Sequence, residues 1–424
     1  MNLTDSIQKK LKEINAEPGD TITISFSDKI FTGVLMPHHE FSDPEIIIIK
    51  LDNGYNTGLR ITKRTMITLV KKRKEQEKKQ HKIPFDKDKP TIEIIGTGGT
   101  IAFYVDYRTG AVHPATSSED LAFSVPEIFD ICNVKTEVAY QLLSENIQPE
   151  HWQNLAEKVA NALNNGAKGV VIPHGTDTMG YTAAALSFML EGLSGPVILV
   201  GAQRSSDRPS SDAAQNLLDA VRLAAEGNIG EVVVLMHAES SDTKTAIHRG
   251  NCVRKCHTSR RDAFKSINTP PLGYIEKGMI TWEKSYKKIS KGPVRVDTAL
   301  ETDVGLIYIY PGMKPEDIPD KKGLVLMGTG LGHTSSTILP RITELTKNGT
   351  TIVMTSQCIY GRVNMNIYST GRDLLKAGVI SAATMIPETA YVKLMWALAH
   401  GKTKEQIEIL LTTDISNELS DKTK

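Results

Sequence analysis

The stretch GVVIPHGTDTMGYTAAALSFML, residues 169–190, decides the fold because it joins three different kinds of local sequence. Residues 169–173 are apolar and rich in β-branched side chains, which indicates a strand that is buried on both faces. A loop of small, hydroxyl and carboxylate residues follows at 174–179, and residues 181–190 then have the composition of a helix. A strand, a polar loop and a helix in this order predict one unit of an α/β fold.

The same alternation continues along the chain from residue 91. The predicted strands and helices of the first part are residues 91–95, 151–164 (helix), 169–173, 181–190 (helix), 196–200, 212–225 (helix) and 231–236. A second, smaller unit has predicted strands at 304–310, 323–327 and 351–355, and predicted helices near 335–347, 371–377, 388–399 and 404–411. Strands rich in β-branched residues, with helices between them, predict a parallel sheet covered on both faces.

The first 70 residues have a different pattern. Apolar residues at helical spacing predict a helix over 3–15, and four or five short strands separated by turn residues follow, with candidates at 21–26, 29–36, 45–51 and 55–61. Such a segment predicts a small antiparallel barrel of SH3-like kind. The predicted organisation is therefore a β-barrel domain at 1–70, a basic linker at 71–90, a larger α/β domain at 91–275, a hinge at 276–301 and a smaller α/β domain at 302–424.

Composition excludes several classes of function. Fifty Lys and Arg residues stand against 49 Asp and Glu, and this net charge of +1 gives no general attraction to nucleic acid or to anionic membrane. No apolar stretch approaches the ~20 residues that span a bilayer, so we expect a cytoplasmic protein without membrane contact. Cys252, Cys256 and His257 are considered as metal ligands, but their spacing and the surrounding basic residues favour ordinary thiols and no metal site.

Two loops that follow predicted strands carry the polar side chains for chemistry. They are GTGGTIA at 96–102 and HGTDTM at 174–179, and each places hydroxyl groups on a glycine-rich turn that a ligand can approach closely. Taken alone, the first loop is equally explained as a structural turn, and the second as the capping residues of a helix. The carboxyl ends of parallel strands share one crevice, so both loops are expected to face the same site.

Together, TGGTIA and HGTDTM resemble the double signature of the bacterial-type asparaginase/glutaminase family. The resemblance extends over most of residues 90–400 and includes VGAQR at 200–204 and the Asp-Thr-Lys run at 242–244. It implies an asparaginase-like architecture of two α/β domains, here preceded by the small barrel. It also implies a catalytic set of Thr176, Asp177 and Lys244, with Thr100 as a second threonine.

The residue types of this set suit amide hydrolysis. An unassisted threonine hydroxyl is a poor nucleophile, so it needs a neighbouring base, and a desolvated Lys244 could accept a proton from Thr176 while Asp177 orients it or binds the substrate ammonium. We favour Thr100 as the primary nucleophile, activated by Tyr107, which resembles the lid tyrosine of the family. Backbone N–H groups around two glycines, Gly99 and Gly175, are the predicted oxyanion donors.

Three further positions resemble substrate-binding residues of the family. Ser144 and Glu145 match a Ser-Gln pair of the free-standing enzymes, with a carboxylate in place of the amide. His333 occupies a loop of the smaller domain in which the family usually has Asn. These departures bear on which substrate is bound rather than on the class of reaction.

The amino-terminal barrel and the run from His248 to Ser266 resemble the D-type subunits of archaeal-type glutamyl-tRNA(Gln) amidotransferases. That resemblance implies hydrolysis of glutamine, with the ammonia passed to an E-type partner subunit that binds tRNA(Gln) and uses ATP and Mg²⁺. It implies no cofactor in this chain and a homodimer within a heterotetramer. Two alternatives stay open, a free-standing cytoplasmic L-asparaginase and a catalytically idle scaffold.

Overall fold

Three units follow one another along the chain, and the computed structural model describes most of each. The described residues are 3–38, 42–52, 55–72, 83–98, 103–105, 112–114, 118–204 and 210–420. Within them there is no helix that is long and apolar enough to cross a membrane.

The amino-terminal unit is a five-stranded antiparallel sheet that packs against one helix. Its elements are α1 (Asp5–Glu13), β1 (Thr21–Ser25), β2 (Ile30–Leu35), β3 (Ile46–Leu51), β4 (Asn56–Arg60) and β5 (Met66–Lys71). The strand order is β4-β3-β2-β1-β5. Ile22 and Ile24 of β1 point into a core that also contains Ile7 and Leu11 of α1, as the alternation of apolar residues requires. The prediction of a small antiparallel β domain is confirmed, and β5 is the strand for which the sequence offered no candidate range.

The large domain is built on an eight-stranded sheet with the order β18-β17-β14-β13-β12-β10-β6-β9. Its elements are β6 (Thr91–Gly96), β7 (Phe103–Val105), β8 (Val112–Pro114), α2 (Ser118–Phe123), α3 (Ile128–Ile131), β9 (Asn133–Val138), α4 (Pro149–Asn164), β10 (Gly169–Pro173), α5 (Met179–Met189), β11 (Leu190–Glu191), β12 (Val197–Val200), α6 (Ala213–Glu226), β13 (Val232–His237), β14 (Lys244–Arg249), β15 (Val253–Lys255), β16 (Phe264–Ser266), β17 (Gly273–Glu276), β18 (Met279–Trp282) and β19 (Arg295–Val296). Strands β13, β12, β10, β6 and β9 are parallel, and β14, β17 and β18 extend the sheet in antiparallel fashion.

The parallel strands are covered on both faces, as predicted. Val170 and Ile172 of β10 pack in the cluster that contains α4 and α5, whereas Val171 between them packs in the cluster that contains α6. Both faces of the strand exclude water, and this double burial accounts for its unbroken run of apolar residues.

The small domain is a four-stranded parallel sheet with helices. Its elements are β20 (Val304–Tyr308), β21 (Gly323–Gly328), α7 (Leu339–Lys347), β22 (Thr351–Ser356), α8 (Ser369–Lys376), β23 (Ile380–Ser381), α9 (Pro387–His400) and α10 (Lys404–Thr412), with short 3₁₀ helices at Pro315–Asp317 and Ser336–Ile338. A further 3₁₀ helix, Ser144–Asn146, lies between β9 and α4 of the large domain. Helix α9 packs against both α5 and the small sheet. One hydrophobic cluster therefore runs from Ala183 of the large domain to Val325 and Val353 of the small one.

The segment predicted as a hinge, residues 276–301, differs from expectation at its start. Met279–Trp282 is β18, the edge strand of the large sheet. It is joined to β17 by Lys277 and Gly278, both with positive φ (50° and 77°), which fits a two-residue hairpin turn. Because an edge strand is half exposed, its sequence resembles that of a linker. The antiparallel strands β14 and β17 were likewise absent from the prediction.

Candidate active site

Two loops begin side by side at the carboxyl ends of the neighbouring strands β6 and β10. The hydroxyl of Thr97, directly after β6, donates to the carbonyl oxygen of Pro173 at 2.8 Å, and the Thr97 backbone N–H donates to the same oxygen at 3.3 Å. Gly98 has a φ of 97°, and a Cβ there would lie 2.5 Å from the carbonyl oxygen of Leu142. In the described part of the chain, the glycine-rich loop therefore starts against the 174–179 loop, as the sequence predicted.

Three of the predicted site residues, Gly99, Thr100 and Tyr107, lie outside the described residues. Their proposed roles as oxyanion donor, primary nucleophile and lid tyrosine stay predictions.

Thr176 sits on a tightly packed support. Its side chain is buried, and a Cβ added to Gly201, just after β12, would lie 2.8 Å from the Thr176 methyl carbon. A Cβ added to Gly175 would lie 2.6 Å from the Cβ of Ser144. The hydroxyl of Thr178 donates to the carbonyl oxygen of Ser144 at 2.8 Å, which joins the 174–179 loop to the 3₁₀ helix that begins at Ser144. Only glycine permits these close approaches, so the loop sequence fixes where the Thr176 hydroxyl lies.

The basic partner of Thr176 is Lys255, at the end of β15. Its Nζ donates to the Thr176 hydroxyl oxygen at 2.8 Å and to Asp177 Oδ1 at 2.8 Å. The Lys255 side chain is 15% exposed and that of Asp177 is 68% exposed, so the group opens to solvent on the carboxylate side. Strand β15 pairs with β16 in a short hairpin that stands apart from the large sheet and carries the lysine to the loop.

The structure corrects the predicted lysine. Lys244 is the first residue of β14, where it lies opposite Glu276 of β17, and its Nζ lies 3.7 Å from the ring centroid of Tyr274. The antiparallel register thus places Lys244 in a cation–π contact with Tyr274 of the neighbouring strand β17, while Lys255 occupies the place beside Thr176 that was expected for Lys244. The signal for Lys255 lay in the basic run 248–266, which the family resemblance had already singled out.

A partly buried ion pair involves Arg254, the residue that precedes Lys255. Arg254 Nε lies 3.1 Å from Glu388 Oε1 at the start of α9. Burial raises the pKa of Glu388, and the Arg254 charge opposes that rise. Because Glu388 belongs to the small domain, this pair fixes the Lys255 hairpin to the second domain of the chain. It is a contact that the sequence did not predict.

His174 precedes the threonine loop and is fully buried. Its Nδ1 lies 2.6 Å from the Gly175 carbonyl oxygen, and burial lowers the pKa of His174 to about 4. The ring is therefore neutral at pH 7 and donates from Nδ1 to that oxygen. This histidine supports the loop from behind.

The other predicted substrate-binding residues are placed differently from one another. Ser144 is buried against Gly175, next to Thr176, whereas Glu145 is exposed. His333 lies in the small domain, where its ring packs edge-on against Tyr368 and Nδ1 lies 3.3 Å from the Thr370 hydroxyl. The structure thus brings Ser144 to the threonine loop, and the binding roles of all three stay predictions.

The cysteines near the hairpin have separate environments. Cys252 is buried and its Sγ donates to Asn251 Oδ1 at 3.3 Å, while Cys256 is exposed. Burial raises the pKa of Cys252 to about 12. Across the described residues, no three His, Cys, Asp or Glu side chains converge in a way that could hold a metal ion.

A lysine that bridges a threonine hydroxyl and a carboxylate, in a two-domain α/β fold, defines an amidohydrolase of the asparaginase and glutaminase class. Family models agree with this assignment. The model described as "Asparaginase, N-terminal" matches residues 91–288, and the model described as "Glutaminase/Asparaginase C-terminal domain" matches residues 303–411. A third model, "GatD N-terminal domain", matches residues 16–70.

The chain belongs to the GatD family, the D-type subunits of glutamyl-tRNA(Gln) amidotransferase. The member from Pyrococcus furiosus is 50% identical over 431 residues, which cover 99% of this chain and 98% of the relative. The one from Thermococcus kodakarensis is 50% identical over 399 residues, covering 92% and 90%. The resemblance expected from the sequence is confirmed.

Solved structures give the same fold. The thermostable L-asparaginase from Thermococcus kodakarensis matches with a TM-score of 0.70 and 32% identity, over 78% of this chain and 99% of its own. L-asparaginase I from Vibrio cholerae matches with a TM-score of 0.69 and 31% identity, over 78% and 99%.

Proposed function

We propose that this chain hydrolyses glutamine and supplies the ammonia to a partner subunit that converts Glu-tRNA(Gln) into Gln-tRNA(Gln). The near-complete coverage of relatives named as D-type amidotransferase subunits supports this assignment. The structural observation that carries it is the position of Lys255 Nζ, which lies 2.8 Å from both the Thr176 hydroxyl oxygen and Asp177 Oδ1; as a free amine it has the lone pair that accepts the hydroxyl proton. This arrangement supplies a proton acceptor at a hydroxyl group, as covalent hydrolysis of an amide requires.

The proposed reaction has two halves. A threonine Oγ attacks the side-chain amide carbon of glutamine, its proton passes to the nitrogen that leaves as ammonia, and a glutamyl ester remains on the enzyme. Water then attacks the ester and releases glutamate, which restores the hydroxyl. Thr100 is the proposed first nucleophile, and Thr176, Asp177 and Lys255 are proposed to relay the proton; the reverse assignment, with Thr176 acylated, stays open.

The partner arrangement is part of the proposal. ATP and Mg²⁺ are expected in an E-type partner subunit of the amidotransferase, which would bind tRNA(Gln), while this chain holds no cofactor of its own. A homodimer within a heterotetramer and a cytoplasmic location complete the assignment. The near-zero net charge of the chain suits this division, because the partner would make the main contacts with the tRNA phosphates.

A free-standing L-asparaginase is the second candidate function, and the likeness to solved asparaginases favours it. The amino-terminal β domain distinguishes the two candidates, because the match to the GatD N-terminal domain covers residues 16–70. Ammonia release by the full chain, measured with glutamine and with asparagine, separates them. Rapid turnover of asparagine without any partner would favour the asparaginase.

The catalytic assignment is tested by comparing two lysines of the same chain. Lys255→Met keeps a long side chain and removes the proton acceptor, so glutaminase activity should fall by ~10²–10⁴-fold with little change in thermal stability. Lys244→Met removes only the contact with Tyr274 and should leave activity within about twofold. Near-normal activity in Lys255→Met would contradict the role, and loss of activity only in Lys244→Met would restore the lysine that the sequence predicted.

A further inference from the structure

We propose that His237, Asp242 and Arg261 are positioning residues that set the place of Lys255 relative to Thr176. Together with Asn216 they form a continuous chain of polar contacts from Gly201, which packs against Thr176, to the hairpin that carries the lysine. The inference rests on the proposed catalytic role of Lys255 and adds the residues that hold it there.

The chain of contacts starts beneath Thr176. Gly201 packs against the Thr176 methyl group, and its carbonyl oxygen accepts from Asn216 Nδ2 at 2.9 Å. The same Nδ2 donates to Asp212 Oδ2 at 3.0 Å, so the Asn216 side chain must present its oxygen on the other side. That oxygen lies 2.6 Å from His237 Nδ1. Asn216 and His237 are both fully buried, so their orientations are fixed by these bonds.

The second half of the chain leaves the buried region. His237 is the last residue of β13, and its Nε2 lies 3.2 Å from Oδ1 of Asp242 in the turn that leads to β14. Both ring nitrogens of His237 therefore face acceptor oxygens. Asp242 Oδ1 also accepts from Arg261 Nη1, and Arg261 Nη2 donates to the Ser240 carbonyl oxygen.

Arg261 lies in the turn of the β15–β16 hairpin, so this pair joins two separate turns of the domain. The hairpin has only three residue pairs, Val253 with Ser266, Arg254 with Lys265 and Lys255 with Phe264, and lies outside the eight-stranded sheet. Its base is anchored by His248, whose Nδ1 lies 2.8 Å from the Ser266 hydroxyl. Arg261 anchors the opposite end, in the turn that follows the last residue pair, Lys255 with Phe264.

The arrangement is suited to positioning more than to stability. Asp242 is 67% exposed, so the free energy of its ion pair is largely screened by water, whereas the Arg261 side chain is only 13% exposed. A catalytic group that moves by about 1 Å can cost ~10²-fold in rate. Arg261 thus restrains the hairpin where a small displacement of Lys255 matters most.

The test compares adjacent arginines in the full-length chain. Arg261→Gln and Asp242→Asn should each lower kcat for glutamine by about tenfold or more while KM and the melting temperature change little. The double variant should lose no more than either single variant, because both break one contact. Arg261→Lys, which retains a cation, should recover part of the rate.

Arg260→Gln is the matched control. Arg260 binds Asp262 within its own turn, at 2.9 Å, and has no part in the proposed chain of contacts. It should retain normal kcat. Normal kcat in Arg261→Gln, or equal losses in Arg260→Gln and Arg261→Gln, would overturn the proposal. Full activity in Lys255→Met would instead reject the catalytic role of Lys255, so the two failures are told apart.

Discussion

Two lysine–carboxylate pairs in this molecule have similar geometry and different surroundings. Lys393 Nζ lies 2.5 Å from Glu418 Oε1, and both side chains are completely buried. Lys255 Nζ lies 2.8 Å from Asp177 Oδ1, on the side of the 174–179 loop where the Asp177 side chain is exposed to solvent.

The difference lies in how many partners each lysine has and where they come from. Lys393 also donates to the carbonyl oxygens of Leu411 and Thr413, at 3.1 and 2.6 Å, and Glu418 accepts from the backbone N–H groups of Ile415 and Ser416. All these partners belong to the carboxyl-terminal segment, so the pair fastens that segment to α9. Lys255 instead divides its hydrogen bonds between a hydroxyl and a carboxylate that substrate can approach. A structural ion pair is buried and all its polar atoms have hydrogen-bond partners. A reactive pair shares a hydroxyl group and has one side exposed to solvent.

Removing one partner of the buried pair should have the largest effect on stability. Lys393→Met leaves the Glu418 carboxylate buried without its cation, which should lower the free energy of unfolding by ~3–5 kcal/mol. Urea denaturation followed by tryptophan fluorescence can report this change, because Trp396 lies in the same helix. The double variant Lys393→Met, Glu418→Gln should regain part of the loss, because the amide oxygen can still accept from the backbone N–H groups and carries no charge. The folded protein should keep its glutaminase activity. A single variant as stable as the parent would remove the contrast between the two lysines.

Acid should weaken the two regions in different pH ranges. Burial lowers the pKa of His174 to about 4 and that of His248 to about 3, so both rings stay neutral in the folded protein. In the unfolded chain the same two rings become protonated near pH 6.5. Their contribution is complete above pH 6.5 and is lost as the pH falls towards 4. Between pH 7 and pH 5 the free energy of unfolding should fall by about 2 kcal/mol for each histidine.

The buried pair responds at lower pH. Burial opposes ionisation of Glu418, but the charge and hydrogen bonds of Lys393 outweigh it and keep the pKa of the carboxyl below its usual range. The contribution of Glu418 to stability is therefore present above the pKa that the carboxyl has in the unfolded chain, and it is lost only as the pH falls through the lower pKa of the folded state.

The histidine prediction is tested with His248→Gln. This variant should reduce the loss in free energy of unfolding between pH 7 and pH 5, measured by urea denaturation at both pH values. An unchanged slope would show that burial of His248 is not its cause.

An exposed pair provides the smallest effect. Arg295 and Glu191 are ion-paired with side chains 73% and 70% exposed. Arg295→Gln should change the free energy of unfolding by less than about 0.5 kcal/mol and leave activity unchanged. If Arg295→Gln lost as much free energy of unfolding as Lys393→Met, the degree of burial would not determine how much each ion pair stabilises the fold.

The elements that the sequence predicted best are those buried on two faces. The apolar run of β10 predicts a buried strand, and the composition of α5 predicts a helix. The observed ends of both elements agree with the predicted ends to within two residues. The edge strand β18 was missed because it is half exposed, so local sequence does not distinguish it from a loop. Strand β14 was missed although its four central residues are buried, because two of them, Thr245 and His248, are polar.

The site shows the same division. Thr176 and Asp177 are fixed by a local loop sequence, so their neighbourhood was predictable from the chain around them. Lys255 reaches Thr176 across 79 residues of sequence, through a hairpin whose three residue pairs have no strong pattern of their own. The family resemblance of the Asp-Thr-Lys run at 242–244 favoured Lys244, and only the antiparallel register of β14 directs that side chain to Tyr274 instead.

The close contact between Gly201 and Thr176 has a consequence for protein engineering. Even an alanine at position 201 would bring a methyl group to 2.8 Å from the Thr176 methyl and 2.7 Å from the end of Met179. Substrate preference therefore cannot be altered by introducing a larger side chain at position 201, because there is no space between this position and Thr176. New side chains would have to enter from the open side, where Asp177 meets solvent.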